Sequence, residues 1–272
     1  MELDNMPPPV APFLKWAGGK RWLAERHLSM FPSATSRYIE PFLGSASIFF
    51  SLRPRVAFLS DANPRLIECY EQIRDESEAV QGLLTEHQRL HSTEHYYFVR
   101  STKYETAAER AAQFLYLNRT CWNGLYRVNK RGEFNVPKGT KNSVVLPNDD
   151  FFAVSKVLKV AKISCCDFET ALAEAKSDDL VYVDPPYTVQ HNFNGFLKYN
   201  ENIFSWSDQV RLRDAVIFAA SKGARVVVSN AAHSSVIDLY AGIGETHFVK
   251  RNSVLAASSA RRGEVDEIMV II

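Results

Sequence analysis

The 272-residue chain has only four cysteines, Cys69, Cys121, Cys165 and Cys166, and none stands in a paired metal-ligand spacing. A disulfide framework and a zinc module are therefore not expected, and the thiols read as the reduced cysteines of an intracellular protein. Net charge is nearly absent, at +1, so a nucleic-acid partner is not announced by overall charge and any basic surface must be local. No stretch approaches the roughly 20 apolar residues that span a bilayer, and the N-terminus shows no signal-peptide pattern. The expectation is a cytoplasmic protein without membrane association. Repeats and low-complexity tracts are missing too, apart from the short extended leader Pro7-Pro8-Pro9. What remains is ordinary globular usage, 46% hydrophobic and 23% charged, which excludes a mainly disordered polypeptide. This length can bury a large core, as one domain or as a domain carrying an insertion.

Against that background stands the tetrad Asp184-Pro185-Pro186-Tyr187, directly behind the apolar run Leu180-Val181-Tyr182-Val183. In open α/β sheets, ligands gather beyond the carboxyl ends of strands. Two prolines there fix the backbone and leave carbonyls free of helical pairing, while the ring offers a stacking platform. A flat base with an exocyclic amine would fit such a site. The plainer alternative is a Pro-Pro turn closing a buried strand, with the Asp as a cap.

Strands and helices alternate at both ends of the chain. Arg37-Tyr38-Ile39-Glu40 reads as a strand, Pro41-Phe42-Leu43-Gly44-Ser45-Ala46-Ser47 as a tight small-residue turn, and Ile48-Phe49-Phe50 as the start of a helix. A second strand, Arg55 to Asp61, ends on an acid before Asn63-Pro64 opens another helix. Asp61 lies close to the roughly 20-residue offset at which an acid binds ribose hydroxyls after a glycine turn. The turn holds only one of the expected glycines, and it is the pairing with Asp61 that points to a nucleoside-containing cofactor. From Glu76 to Leu117 the pattern turns helical. Residues 118–139 then alternate basic and amide side chains with aromatics and turn glycines, a mixture suited to phosphates, base edges and the gap left by an extruded base. A solvated hairpin with idle charges is the alternative there. Val160 to Phe168 reads as a strand ending in an acid-aromatic pair, Ser207 to Lys222 as a helix stopped by Gly223, and Arg225 to Asn230, His247 to Lys250 and Glu267 to Ile272 as further strands. His87, His91 and His95, spaced by four, read as a solvated helix face rather than a metal site.

Seven motifs together carry a resemblance. They are Phe13-Leu14-Lys15-Trp16-Ala17-Gly18-Gly19-Lys20, Pro41-Phe42-Leu43-Gly44, Asp61-Ala62-Asn63, Leu115-Tyr116-Leu117-Asn118-Arg119, Asn123-Gly124-Leu125-Tyr126-Arg127, Arg131-Gly132-Glu133-Phe134-Asn135-Val136-Pro137 and the tetrad. From about Pro12 to the C-terminus the chain resembles the Dam-type DNA adenine methyltransferases. No single motif is specific, since the tetrad also occurs in related amine methyltransferases, but their combination in this order is. The resemblance implies an α/β fold with a Rossmann-like S-adenosylmethionine-dependent methyltransferase sheet and a mainly helical DNA-recognition insertion. The expected division is 1–72 and 146–272 for the catalytic domain, and 73–145 for an insertion with a basic hairpin.

By similarity, Trp16, Lys20, Phe42, Gly44, Asp61, Asp167, Phe168 and Asp184 would surround S-adenosylmethionine. Asp184, Pro185 and Tyr187 would grip the exocyclic amine and stack on a flipped adenine. Lys15, Trp122, Asn123, Leu125 and Arg127 would read or fill the DNA site, which the resemblance makes GATC-like. Asn129, Lys130, Arg131 and Lys138 would contact phosphates. Ala46 departs from the family, which often has a second glycine there. Double-stranded DNA is the expected partner, with no metal, no obligate protein partner and a monomer or weak dimer. Two readings compete: a cytosine or glutamine-amide methyltransferase, which has no need of the 123–134 motifs, and a silent DNA-binding module, which has no use for Trp16, Lys20, Asp61 and Asp184.

Overall fold

The structure, a computed structural model, describes residues 10–32, 36–129, 131–189, 204–252 and 264–272. The leader Pro7-Pro8-Pro9 and Lys130 lie outside them. Seven strands are described: β1 (Tyr38–Glu40), β2 (Ala57–Asp61), β3 (Ala161–Cys165), β4 (Leu180–Val183), β5 (Arg225–Ala231), β6 (Glu245–Asn252) and β7 (Glu264–Ile271). Their order is β3-β2-β1-β4-β5-β7-β6. β1 runs parallel to β2 and to β4, with Ile39 opposite Val181, and β4 runs parallel to β5, with Val183 opposite Val228. β7 is antiparallel to both of its neighbours and sets Ala231 opposite Glu267. The sheet is the α/β arrangement that the resemblance implies, parallel across β2, β1, β4 and β5 with β7 antiparallel beside them. Every residue of β1 and β4 is buried, and β4 reads as an unbroken apolar run, while β1 ends on the buried Glu40, which accepts from the Tyr38 hydroxyl at 2.9 Å.

The chain forms two compact units. The first comprises the N-terminal segment to Leu28, Leu43–Arg55 and Asp61–Cys165. It carries α1 (Arg21–His27), α2 (Ser47–Leu52), α3 (Pro64–Asp75), α4 (Ser77–Leu90), α5 (Thr93–Ser101), α6 (Ala107–Thr120) and α7 (Phe151–Leu158). Helix starts follow capping chemistry. Asn63 Oδ1 accepts from Arg65 N and Leu66 N ahead of Pro64, and Thr106 and Glu109 form a reciprocal capping box. α6 is buried on nearly all sides from Phe114 to Thr120, as a central helix packed by α3, α4 and α5 must be. Asn118 and Arg119 therefore belong to the core, not to the basic surface with which the sequence groups them.

The three histidines also differ from expectation. α4 ends at Leu90, His91 is its C-cap, and Ser92 caps α5 by accepting from His95 N. The imidazoles thus come from two helices. His87 is buried, its Nδ1 lies 3.0 Å from His95 Nε2, and His91 Nδ1 lies 2.8 Å from the Tyr116 hydroxyl. Burial, then the charge of His95, pulls the His87 pKa down to about 4, and desolvation also lowers the half-buried His91 and His95, so the cluster favours the neutral form. Among the described residues no group of three or more His, Cys, Asp or Glu side chains could hold a metal, and no helix is long and apolar enough to cross a membrane.

The second unit comprises Ser29–Phe42, Val56–Ser60 and Cys166–Ile272, with α8 (Phe168–Ala173), α9 (Trp206–Ser221) and α10 (Ser234–Tyr240). Its core joins Ile39, Val181, Val183, Val226, Val228, Ile268 and Val270 of the sheet to Leu172 of α8 and Leu212, Val216 and Ala219 of α9. The cap of α9 is Ser205, two residues before the expected Ser207. Its hydroxyl accepts from Asp208 N while the Asp208 carboxylate accepts from Ser205 N.

Candidate active site

In the first unit the residues expected around a cofactor converge on the turn after β1. Gly44 has φ +46, and a Cβ there would sit 2.8 Å from Trp16 Cδ1, so both the backbone and the space require glycine. Gly44 N donates to Asp61 Oδ2 at 3.3 Å, its carbonyl accepts the Tyr70 hydroxyl at 3.0 Å, and Asp61 Oδ1 accepts from Asn63 N at 3.0 Å. The turn and the acid that closes β2 thus meet directly. Burial lifts the Asp61 carboxyl to about 6, against the pull of the backbone N–H groups of Asn63, Gly44 and Ala62. Ala46 takes the left-handed conformation, φ 53, at a cost of about 1–2 kcal/mol for a residue with a Cβ. Its N–H donates to Leu43 O at 2.7 Å, which keeps the turn closed. Lys20 is buried and donates to Gly18 O. Gly44→Ala is expected to lower stability by about 1–3 kcal/mol, read as a shifted urea midpoint at unchanged slope. An unmoved midpoint would mean that Trp16 withdraws freely.

The same unit holds the residues expected to meet DNA. Asn118 clamps the N-terminal segment through both ends of its amide: Lys15 N donates to its Oδ1 at 3.0 Å, and its Nδ2 donates to Lys15 O at 2.7 Å. Lys15 itself is exposed, and partial desolvation, followed by the charges of Lys141 and Arg119, holds its amine below the usual range. Trp122 and Asn123 are exposed in a single 3-10 turn, and Asn123 has φ 55. Leu125 is half-buried, and its carbonyl lies 3.3 Å from Cys121 Sγ. Antiparallel bridges join Cys121 to Lys138 and Val128 to Phe134. The exposed Arg127 donates through Nε to Asn135 Oδ1 at 2.8 Å. Asn129 serves the hairpin tip: its Oδ1 accepts from Arg131 N and Glu133 N, and its Nδ2 donates to Glu133. Arg131 is exposed, and Lys138 is half-buried. Tyr126 stacks on Trp16 with centroids 5.7 Å apart and planes 23° apart, so this loop touches the N-terminal segment.

In the second unit the tetrad leaves β4. Asp184 is half-buried and Pro185 is buried. Ser229 Oγ donates to Asp184 Oδ1 at 2.9 Å and lies 2.9 Å from the Tyr182 hydroxyl, which therefore donates to it. Gln209 Nε2 donates to Pro186 O at 3.4 Å, and Asn230 Nδ2 donates to Gln209 Oε1 at 3.1 Å. The Tyr187 hydroxyl donates to Glu267 Oε2 at 2.7 Å. Burial, then the charges of Asp184 and Glu267, pushes the Tyr187 phenol well above its ordinary pKa, so it stays a donor. Phe42 stacks on Phe168 with centroids 5.5 Å apart. Asp167 caps α8 by accepting from Glu169 N, and Arg211 spans Asp167, Glu169 and Asp208 while lying over the Phe168 ring. Sequence reasoning did not single out Ser229, Gln209, Asn230 or Glu267. Their one visible signal is polarity inside apolar strands: Ser229-Asn230 follows Val226-Val227-Val228, and Glu267 precedes Ile268-Met269-Val270.

A sheet with its antiparallel strand next to last, and an Asp-Pro-Pro-Tyr turn beyond its fourth strand, fit the class that the resemblance implies, a methyltransferase acting on an amino group. The model of the D12 class N6 adenine-specific DNA methyltransferases matches residues 16–254, and the chain belongs to that family. It is similar to the type II methyltransferase M1.LlaDCHI of Lactococcus lactis subsp. cremoris, 38% identical over 270 residues that cover 96% of this chain and 95% of that one. A DNA adenine methylase of Vibrio cholerae is 33% identical over 267 residues, covering 95% of each. The type II methyltransferase M.MjaIII of Methanocaldococcus jannaschii is 33% identical over 285 residues, covering 96% and 99%. The protein is an adenine-specific DNA methyltransferase.

Proposed function

We propose that the methyl donor is S-adenosylmethionine, that the target adenine is flipped out of duplex DNA, and that the recognised site is GATC-like. The observation that carries the mechanism is the set of hydrogen bonds holding the tetrad: a carboxylate, a carbonyl-bearing Pro-Pro turn and a phenol ring, each fixed from a neighbouring element. A base inside a duplex cannot reach the reacting site, so extrusion at a cost of roughly a few kcal/mol comes first. Asp184 and the Pro185 carbonyl accept the two N–H bonds of the exocyclic amine, and Tyr187 stacks on the base. The nitrogen lone pair is then directed along one line, and alignment supplies most of the rate. Asp184 need not be a strong base, because the amine proton becomes acidic only once nitrogen carries the methyl group. Bound S-adenosylmethionine supplies an electrophilic methyl group on sulfur.

The donor's place is argued from Gly44, where a side chain would fill the space beside Trp16, and from Asp61, whose carboxylate suits ribose hydroxyls. Trp16 and Lys20 belong with them in the first unit, and by similarity Phe42, Asp167, Phe168 and Asp184 serve the donor from the second. Trp122, Asn123, Leu125 and Arg127, with Lys15, take the DNA site, while Asn129, Arg131 and Lys138 take phosphates. Residues 73–145 act as the recognition insertion, and the enzyme works in the cytoplasm, at the nucleoid, on double-stranded DNA. GATC rests on the resemblance carried by the motifs at 123–137. The test is methylation-sensitive sequencing of DNA from cells expressing the chain: N6-methyladenine in GATC supports the reading, and modification in another context moves the site assignment alone.

Asp61 gives the donor site a pH dependence. A hydroxyl-binding carboxylate must be ionised, and this one holds its proton below about pH 6. Affinity for S-adenosylhomocysteine should be full above that pH and fall up to tenfold per unit below it. Calorimetric titration from pH 5 to 8 checks this, and Asp61→Asn should bind weakly with a flat profile. The same slope in the Asn variant would assign the proton elsewhere.

A further inference from the structure

We infer that Glu267 is a positioning residue for methyl transfer: its carboxylate, by accepting the Tyr187 hydroxyl, holds the phenol ring where the extruded adenine stacks. The inference rests on the reading of Tyr187 as the stacking partner. Glu267 is 1% exposed and sits in β7 ahead of Ile268, Met269 and Val270, all fully buried. A carboxylate in such a place is expensive unless it is paired, and an apolar residue would continue the strand at less cost. Strand register explains what it reaches. Val183, the last residue of β4, is opposite Val228, so Ala231 lies three residues beyond that level on β5, and Glu267 is opposite Ala231. Because β7 runs antiparallel, its early residues come to the edge where the tetrad leaves the sheet.

The contact does more than tie a loop down. A Tyr ring turns about two side-chain bonds. An acceptor 2.7 Å from the hydroxyl fixes the far end of the ring and so its direction from the backbone. The phenolic O–H prefers the ring plane through conjugation, so an acceptor on one side also selects the plane's rotation. A charged acceptor makes this hydrogen bond roughly twice as strong as a neutral one. The ring is therefore set in place before any base arrives.

The experiment is a double-mutant cycle on the full-length enzyme, with Glu267→Leu, Tyr187→Phe and the two combined, plus Glu267→Gln and Tyr187→Ala. Single-turnover methylation is measured beside 2-aminopurine fluorescence at the target adenine, and the dissociation constant for S-adenosylhomocysteine is recorded. Glu267→Leu and Tyr187→Phe should each slow methyl transfer about tenfold, with the double variant no slower than either, since misplacement rather than lost binding is the cause. S-adenosylhomocysteine binding should change less than about twofold. Glu267→Gln, which keeps an acceptor oxygen, should recover most of the rate. The flipped 2-aminopurine should be brighter in Glu267→Leu, because it is less well stacked. If Glu267→Leu does not fold, the comparison of Tyr187→Phe with Glu267→Gln carries the test. Tyr187→Phe at the wild-type rate, or losses that multiply in the double variant, overturns the inference. Loss of rate in Tyr187→Ala alongside normal Glu267→Leu and Tyr187→Phe leaves the stacking reading standing and removes only Glu267. An unaffected Tyr187→Ala removes both.

Discussion

Asp184→Ala is expected to lower the methyl-transfer rate by roughly a thousandfold or more while duplex DNA still binds. The tetrad's carboxylate is built to a fixed position: Ser229 donates to Oδ1 at 2.9 Å, and Tyr182 in turn donates to Ser229. Truncation removes the acceptor for one amine N–H and leaves that buried hydroxyl pair directed at a void, while the sheet and the recognition loop are untouched. Duplex binding comes from many phosphate contacts, so DNA affinity should hold within a few-fold. Asp184→Asn keeps the shape and one acceptor oxygen and should fall between the two. Single-turnover methylation with a parallel gel-shift titration checks both halves, and unchanged turnover in Asp184→Ala would remove the carboxylate from the mechanism.

The strands were legible because the parallel part of the sheet is buried along its length, leaving runs such as Leu180 to Val183 that no surface element would carry. The contact between Gly44 and Asp61 was legible for a related reason. A strand-turn-helix-strand unit has a nearly fixed length, and the 17-residue separation places the acid at the turn. Partners across larger separations leave no such trace. Tyr187 and Glu267 are 80 residues apart, and Lys15 and Asn118 are 103. A reader of the sequence sees an acid in a strand and an amide after a helix, without learning what they face.

Charge and spacing misled where burial decides. The sequence does not show that α6 continues buried through Thr120, so Arg119 reads as the first cation of a basic segment. His87, His91 and His95 look like one helix face because a period of four extends through them. Only the cap at Ser92 reveals two helices, and there the serine competes with the helix for its own backbone, a contest that hydrophobic periodicity does not register.

Arg119 carries the second large effect, one of stability. Its guanidinium donates to both carboxylate oxygens of Asp149, at 2.5 and 2.8 Å, to Val144 O at 2.7 Å and to Phe13 O at 3.0 Å. The two side chains are only 1% and 5% exposed. One ion pair thus ties the N-terminal segment, the end of α6 and the loop before α7 within the first unit. Two opposed charges taken out of water together gain little overall, but removing one strands the other, at a cost of about 3–5 kcal/mol. Asp149→Ala should therefore lower the melting temperature by on the order of 10 °C, since each kcal/mol shifts a chain of this size by roughly 2–4 °C. Asp149 Oδ2 also accepts from Leu146 N at 2.7 Å, so the loop loses its own closure in the same variant. The exposed pair of Glu86 and Arg89 is the contrast: Glu86→Ala removes a short contact in water, where hydration replaces it, and should leave the melting temperature in place. Calorimetric melting of both variants decides the matter, and equal shifts would mean that the buried pair is worth no more than the surface one. Arg119→Met/Asp149→Leu should be milder than Asp149→Ala despite changing two residues, because no charge is then left behind in the core.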